Sequence, residues 1–187
     1  MSLLLYPEIH AKNSYLLTCA AAVAACRAIE KECKSVIPMI KWVNDIYVGE
    51  RKLAGILTEG ECDECGRLLY AIVGIGINLK NAHHSPEVEA IMTSLENEGA
   101  DTDAPTLSAA ITAELISIME SGEVLSEYKK RSMLIGHEVE ILSGGECFTE
   151  RAIDIDDECA LITASADGAQ KRYISGDVKI RPRKEDN

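Results

Sequence analysis

Residues 41–59 read Lys-Trp-Val-Asn-Asp-Ile-Tyr-Val-Gly-Glu-Arg-Lys-Leu-Ala-Gly-Ile-Leu-Thr-Glu. Ile46-Tyr47-Val48 has strong β-propensity, Gly49-Glu50 is turn-like, and Leu53 to Leu57 is a second apolar run interrupted by Gly55. Two strands joined by a tight turn are therefore expected. The same segment carries Lys41, Lys52 and the Asn44-Asp45 pair. Charged groups embedded in runs that favour burial are costly unless something pairs with them. A ligand bearing a carboxylate or phosphate is one such partner. Solvated strand-end lysines and a turn-capping Asp45 are the plainer alternatives.

Beyond this hairpin, Arg67 to Lys80 holds Leu68-Leu69-Tyr70-Ala71-Ile72-Val73 and then Gly74-Ile75-Gly76-Ile77-Asn78. A strand so poor in polar residues is expected to be covered on both faces. Gly74 and Gly76 do not make a dinucleotide fingerprint, because the third glycine and the following helix are missing. Glycines inside a strand suit close approach of a ligand or another backbone. Asn78 adds a donor and an acceptor at the strand end.

Upstream, Asn13-Ser14 is placed to cap a helix with Leu16, Ala20, Val23, Ala24 and Ala28 at helical spacing. Downstream, Ser85-Pro86 opens a helix with Val88, Ile91, Met92 and Leu95 as its stripe and Gly99 as its stop. A third helix runs from about Thr106, with Leu107, Ala110, Ile111, Leu115 and Ile118 on one face, and Val124 to Met133 reads as a fourth. From Gly136 the pattern changes to short strands divided at Gly144-Gly145, Asp156-Asp157, Asp167-Gly168 and Ser175-Gly176-Asp177. Turn signals this dense predict a small barrel, which sets the domains at 1–132 and 133–187. Pro182 onward reads as a charged tail.

The 187 residues carry a formal net charge of −12, which argues against a broad nucleic-acid-binding face. The seven cysteines are an odd number, and no basic, apolar leader precedes them. The apolar run Leu16 to Cys26 is too short to span a bilayer. Reduced thiols, a cytoplasmic location and no membrane association are expected. Cys19, Cys26 and Cys33 fit small buried hydrophobes. Cys62-Asp63-Glu64-Cys65 is a lone C-x-x-C at a hairpin tip, without the second pair that a structural zinc site wants, and His83, His84, Cys147 and Cys159 show no ligand spacing. No metal site is expected.

Taken together, Lys41-Trp42-Val43-Asn44-Asp45, Lys52-Leu53-Ala54-Gly55-Ile56-Leu57-Thr58-Glu59 and Gly74-Ile75-Gly76-Ile77-Asn78 resemble the biotin protein ligase family. That family carries K-W-P-N-D, K-L-A-G-I-L-x-E and G-x-G-I-N in this order, and Ser175-Gly176-Asp177-Val178 is similar to its S-G-E-V ending. The resemblance implies an α+β fold, with the mixed sheet and helices shared with class II aminoacyl-tRNA synthetases, followed by a small SH3-like β-barrel. It implies ATP, Mg²⁺ and biotin as reactants forming biotinyl-5′-AMP, then transfer to a lysine of a biotin carboxyl carrier domain. It assigns Lys52 to the biotin carboxylate and α-phosphate and Asp45 to the incoming amine. Lys41, Trp42, Asn44, Gly55, Gly74, Gly76 and Asn78 would line the substrate and adenylate region.

Two departures stand out. Val43 replaces the family's proline. The family's S-T-N-D-like stretch and Gly/Arg-rich loop, G-R-G-R-x-G-R, are not found in these residues, so the core is expected to be truncated at its N-terminus. That leaves unaided ligase activity in question, with a non-catalytic biotin- or adenylate-binding or interaction module as the alternative. A lipoate-type ligase, sharing the core fold, ranks below both. An incomplete sheet exposes edges and apolar faces, so a homodimer is expected.

Overall fold

The computed structural model describes residues 1–80, 85–143, 145–174 and 176–180. His83, His84, Gly144, Ser175 and the tail from Pro182 lie outside the described residues. The chain forms two compact units, Met1–Arg131 and from Ser132 onward.

The first unit is built on a five-stranded antiparallel sheet. Its strands are β1 (Ser2–Leu5), β2 (Met39–Lys41), β3 (Asp45–Val48), β4 (Arg51–Cys62) and β5 (Leu68–Ile77), in the order β1-β5-β4-β3-β2. The expected hairpin is β3–β4, turning at Gly49 with φ +58°. The sheet's parallel component is an isolated bridge between Lys52 and Met92.

Helix α1 (Tyr15–Glu32) lies on one face of this sheet and is covered in turn by α3 (Ala104–Ser121) and α4 (Val124–Lys130). It is therefore buried all round from Cys19 to Cys26, not along a single stripe. Its alanines permit that close packing, and each fully buried aliphatic such as Ile29 or Ile111 contributes roughly 2 kcal/mol. Ser14 sits at the N-cap position, but its hydroxyl makes no capping hydrogen bond. Cys19, Cys26 and Cys33 are buried as expected, and burial pushes the Cys26 thiol up to about 12. Arg27 and Arg131 join Glu30, Glu114 and Glu127 across the three helices. Hydrogen bonding from Arg27 holds the Glu127 carboxyl below the usual carboxylate range, outweighing the opposing effect of burial.

Two helices differ from expectation. Helix α3 starts at Ala104, two residues early, because the Asp103 carboxylate accepts the Thr106 N–H at 2.8 Å and caps it. Helix α2 (Pro86–Ile91) stops short of Met92 and Leu95. Thr93 instead donates its N–H to the Lys52 carbonyl at 2.9 Å, and Leu95 donates its own to Asn78. These long-range bonds override the local helical stripe. Strand β5 also departs from expectation: its burial alternates, and Ile72 is 39% exposed, so one face only is covered.

The second unit is another five-stranded antiparallel sheet, β6 (Glu138–Ser143), β7 (Glu146–Ile155), β8 (Leu161–Ala164), β9 (Gln170–Tyr173) and β10 (Asp177–Ile180), ordered β10-β6-β7-β8-β9. Among the described residues β9 and β10 do not pair, so no closed barrel is seen. Glu150 is buried within it, accepting from Lys171 at 2.6 Å, from Tyr173 at 3.1 Å and from the Thr163 hydroxyl. Burial alone would push this carboxyl up; the three donors outweigh it and leave it below its ordinary value. A depressed carboxylate contributes stability that is present above the unfolded-state value, about 4.3, and lost as pH falls through the folded one. Glu150→Gln is accordingly expected to cost about 1–3 kcal/mol at pH 7, with the gap to the native chain narrowing below pH 4.5. Urea unfolding followed by circular dichroism across pH 3–7 checks this; a gap independent of pH would contradict it.

Candidate active site

Antiparallel partners project to the same face of a sheet. Lys41 pairs with Asp45, Asp45 with Gly55, and Gly55 with Gly76, which puts all four in one row across β2, β3, β4 and β5. The next row joins Leu57, Gly74 and Ser2. This is the face opposite α1, where Leu4 and Leu57 are exposed beside Ile72.

Lys52 reaches that face through a β-bulge. Ile46 pairs with Ala54, but the neighbouring Tyr47 pairs with Lys52, leaving Leu53 as the extra residue. Leu53 and Ala54 are consequently both buried, at 0% and 3% exposure. In an unbroken register Lys52 would share the face of Ala54 and point into the core. The extra residue turns it onto the face of Asp45 instead. There its ammonium lies 2.6 Å from Asp45 Oδ1. Lys41 stands on the other side of Asp45, its ammonium 3.5 Å from the Tyr47 hydroxyl and 5.3 Å from that ring's centroid.

The three glycines explain themselves by what they lack. A Cβ at Gly76 would meet nothing nearer than the Gly55 carbonyl at 3.9 Å, and one at Gly74 nothing nearer than the Leu57 carbonyl at 3.5 Å. At Gly55 it would touch Lys52 Nζ at 3.4 Å and Asp45 Oδ1 at 3.5 Å, ordinary contacts. Gly60 on the same strand is different, for a Cβ there would lie 2.6 Å from the Tyr70 carbonyl oxygen. Glycine weakens a strand interior, so its use at 55, 74 and 76, where packing does not demand it, leaves a flat backbone floor beside the Lys52–Asp45 pair.

The remaining sequence-selected residues are held in place by bonds and packing within the fold. Trp42 is buried at the turn between β2 and β3. Asn44 donates its side-chain amide to the Ile56 carbonyl at 2.7 Å and accepts the Ile56 N–H at 2.8 Å. Asn78 donates its side-chain amide to the Thr93 carbonyl at 3.0 Å. With the Thr93-to-Lys52 bond, this straps the backbone that carries Lys52, and Arg51 with Thr93 closes on Glu98. Thr93, Arg51, Glu98 and Tyr128, which donates its hydroxyl to the Val43 carbonyl at 2.6 Å, carry no local signal in the sequence.

The C-x-x-C turn lies at the far end of β4. Asp63 Oδ1 accepts the N–H groups of Cys65 and Arg67, and both cysteines are exposed and free. A cleft of about 600 Å³ nearby, lined by residues including Tyr6, Glu8, His10 and Arg67, is some 30 Å along the strand from Lys52 and shares none of its residues. Among the described residues no three His, Cys, Asp or Glu side chains are grouped to hold a metal, and no helix is long and apolar enough to cross a membrane.

Two family models match this chain: the biotin/lipoate A/B protein ligase family over residues 1–78 and the biotin protein ligase C-terminal domain over residues 134–181. The chain is a member of the biotin protein ligase family. The first match contains the whole row from Lys41 to Gly76; the second favours the biotin side over the lipoate side. Among curated relatives, the bifunctional ligase/repressor BirA of Bacillus subtilis is 30% identical over 193 aligned positions, covering 96% of this chain and 57% of its own length. The chain thus spans little more than half the length of that relative. Two Aquifex aeolicus biotin protein ligase structures superpose on it. The apo form has a TM-score of 0.81 at 23% identity, covering 97% of this chain and 81% of the other. The form in complex with biotin and ATP has a TM-score of 0.75 at 25% identity, covering 97% and 77%.

Proposed function

We propose that this chain forms biotinyl-5′-AMP from biotin and ATP and passes the biotinyl group to a lysine of a biotin carboxyl carrier domain. The observation that carries this reading is the Lys52–Asp45 pair standing at the edge of the glycine floor. In the first step a biotin carboxylate oxygen attacks the α-phosphorus of ATP and pyrophosphate leaves. Lys52 stabilises the negative charge that gathers on the α-phosphate and carboxylate oxygens. The backbone at Gly55, Gly74 and Gly76 approaches the ligand without a side chain between, and Leu57 and Ile72 offer apolar contact for the biotin ring and chain. In the second step the carrier lysine nitrogen attacks the acyl carbon, AMP leaves, and Asp45 orients the amine and takes its proton.

The ion pair links the two steps. While Lys52 is bound to Asp45, neither is fully available. An anion arriving at Lys52 competes for the ammonium and releases the carboxylate toward the amine. Magnesium enters as the partner of ATP; the described residues group no three metal-ligating side chains of their own.

Labelling of a carrier domain in the presence of biotin and MgATP, detected by avidin blot, tests the proposal. Labelling that Asp45→Asn abolishes supports it. The same chain binding biotin by calorimetry without labelling would favour a non-catalytic module. A cytoplasmic setting and a homodimer belong to this proposal as well. The dimer rests on the edge strand β1, where Leu4 is exposed, and light scattering showing a monomer at high concentration would remove it.

A further inference from the structure

Helix α4 touches the Lys41–Asp45 hairpin at two points. The Ile40 N–H donates to the Arg131 carbonyl at 2.8 Å, and the Tyr128 hydroxyl donates to the Val43 carbonyl at 2.6 Å. Tyr128 is completely buried, and its hydroxyl is spent on a turn 85 residues earlier in the chain. A phenylalanine would fill the same volume. What the hydroxyl adds is a fixed position for the three-residue turn Trp42–Asn44, whose other end is held by Asn44 on Ile56. Lys41 and Asp45 leave that turn in opposite directions and pair across it.

We propose that Tyr128 is a positioning residue: its hydroxyl sets the turn that aims Asp45. The helix thereby controls the orientation of a carboxylate it never touches, which extends the ligase reading and rests on it for the role of Asp45. Removing the hydroxyl leaves a half-buried carbonyl without this donor and lets the turn open locally.

The test is Tyr128→Phe, read first without ligand. Trp42 is the single tryptophan of the chain and lies in the braced turn, so its fluorescence reports on that turn alone. The emission is expected to shift to the red and amide exchange across residues 41–46 to speed up about tenfold, while the helical circular dichroism signal stays native. Transfer of biotin to the carrier lysine is then expected to fall about tenfold in kcat with unchanged KM for biotin and ATP. Native Trp42 emission and exchange in the variant would overturn the proposal. So would loss of the helical signal, which would make Tyr128 a general support of the fold. If the unmodified chain transfers no biotin, the ligase reading falls, and the Trp42 and exchange measurements still decide the brace.

Discussion

Lys52→Ala is expected to lower biotinyl-adenylate formation by about 100- to 1,000-fold, measured as biotin-dependent exchange of pyrophosphate into ATP. The ammonium is the group held at the edge of the glycine floor, aimed there by the bulge at Leu53. A cation placed where charge develops, in a site that a bound ligand would close off from water, contributes far more than the same cation in solvent. Its contribution to folding is small by contrast. Both side chains of the pair are partly open to solvent, and pairs of this kind are worth about 0–1 kcal/mol, so the melting temperature is expected to stay close to native. Asp45→Asn separates the two roles, keeping pyrophosphate exchange and losing transfer to the carrier. Exchange at the native rate in Lys52→Ala would end the assignment of that residue.

The second large effect concerns the floor. Gly76→Val is expected to weaken biotin binding about 100-fold by calorimetry while leaving the melting temperature near native. The position has open space above it, valine favours strands, and the new methyl groups would stand over Gly55, its cross-strand partner. Gly60→Ala is the opposite case. Its Cβ would collide with the Tyr70 carbonyl, so a loss of roughly 1–3 kcal/mol is expected without any direct effect on the ligand face. The pair of variants distinguishes a glycine kept for a ligand from one kept for packing. Native biotin affinity in Gly76→Val would show that no ligand lies over that strand.

The hairpin from Ile46 to Leu57 is legible in the sequence because strand runs and the Gly49-Glu50 turn are local signals, whereas the extension of β4 to Cys62 is not. Helix α3 starts two residues ahead of its apolar stripe, because the Asp103 cap and a proline in the first turn precede that stripe. Helix α2 departs from its sequence pattern for a different reason. Its apolar stripe is real, but Met92 to Leu95 gains more from bonding to Lys52 and Asn78 than from another helical turn, and neither partner is near in sequence. The apolar run of β5 predicts cover on both faces, while the structure leaves Ile72 on the open face. Apolarity records what a residue tolerates, and only the tertiary arrangement says which face is covered.

Sequence alone determined the order of the strands and helices, the glycine positions, and the presence of Lys41, Asp45 and Lys52 within one hairpin. It could not determine that Lys52 faces Asp45. In regular alternation Lys52 would have shared the core face of Ala54, and one unpaired residue, Leu53, reverses it. That reversal is a matter of register between strands, set where the whole sheet buries its apolar side against α1. The same holds for Tyr128 and Thr93, whose bonds to Val43 and Lys52 exist because folding brings distant segments together. Local propensity fixes what each segment becomes; long-range pairing decides which side chains meet.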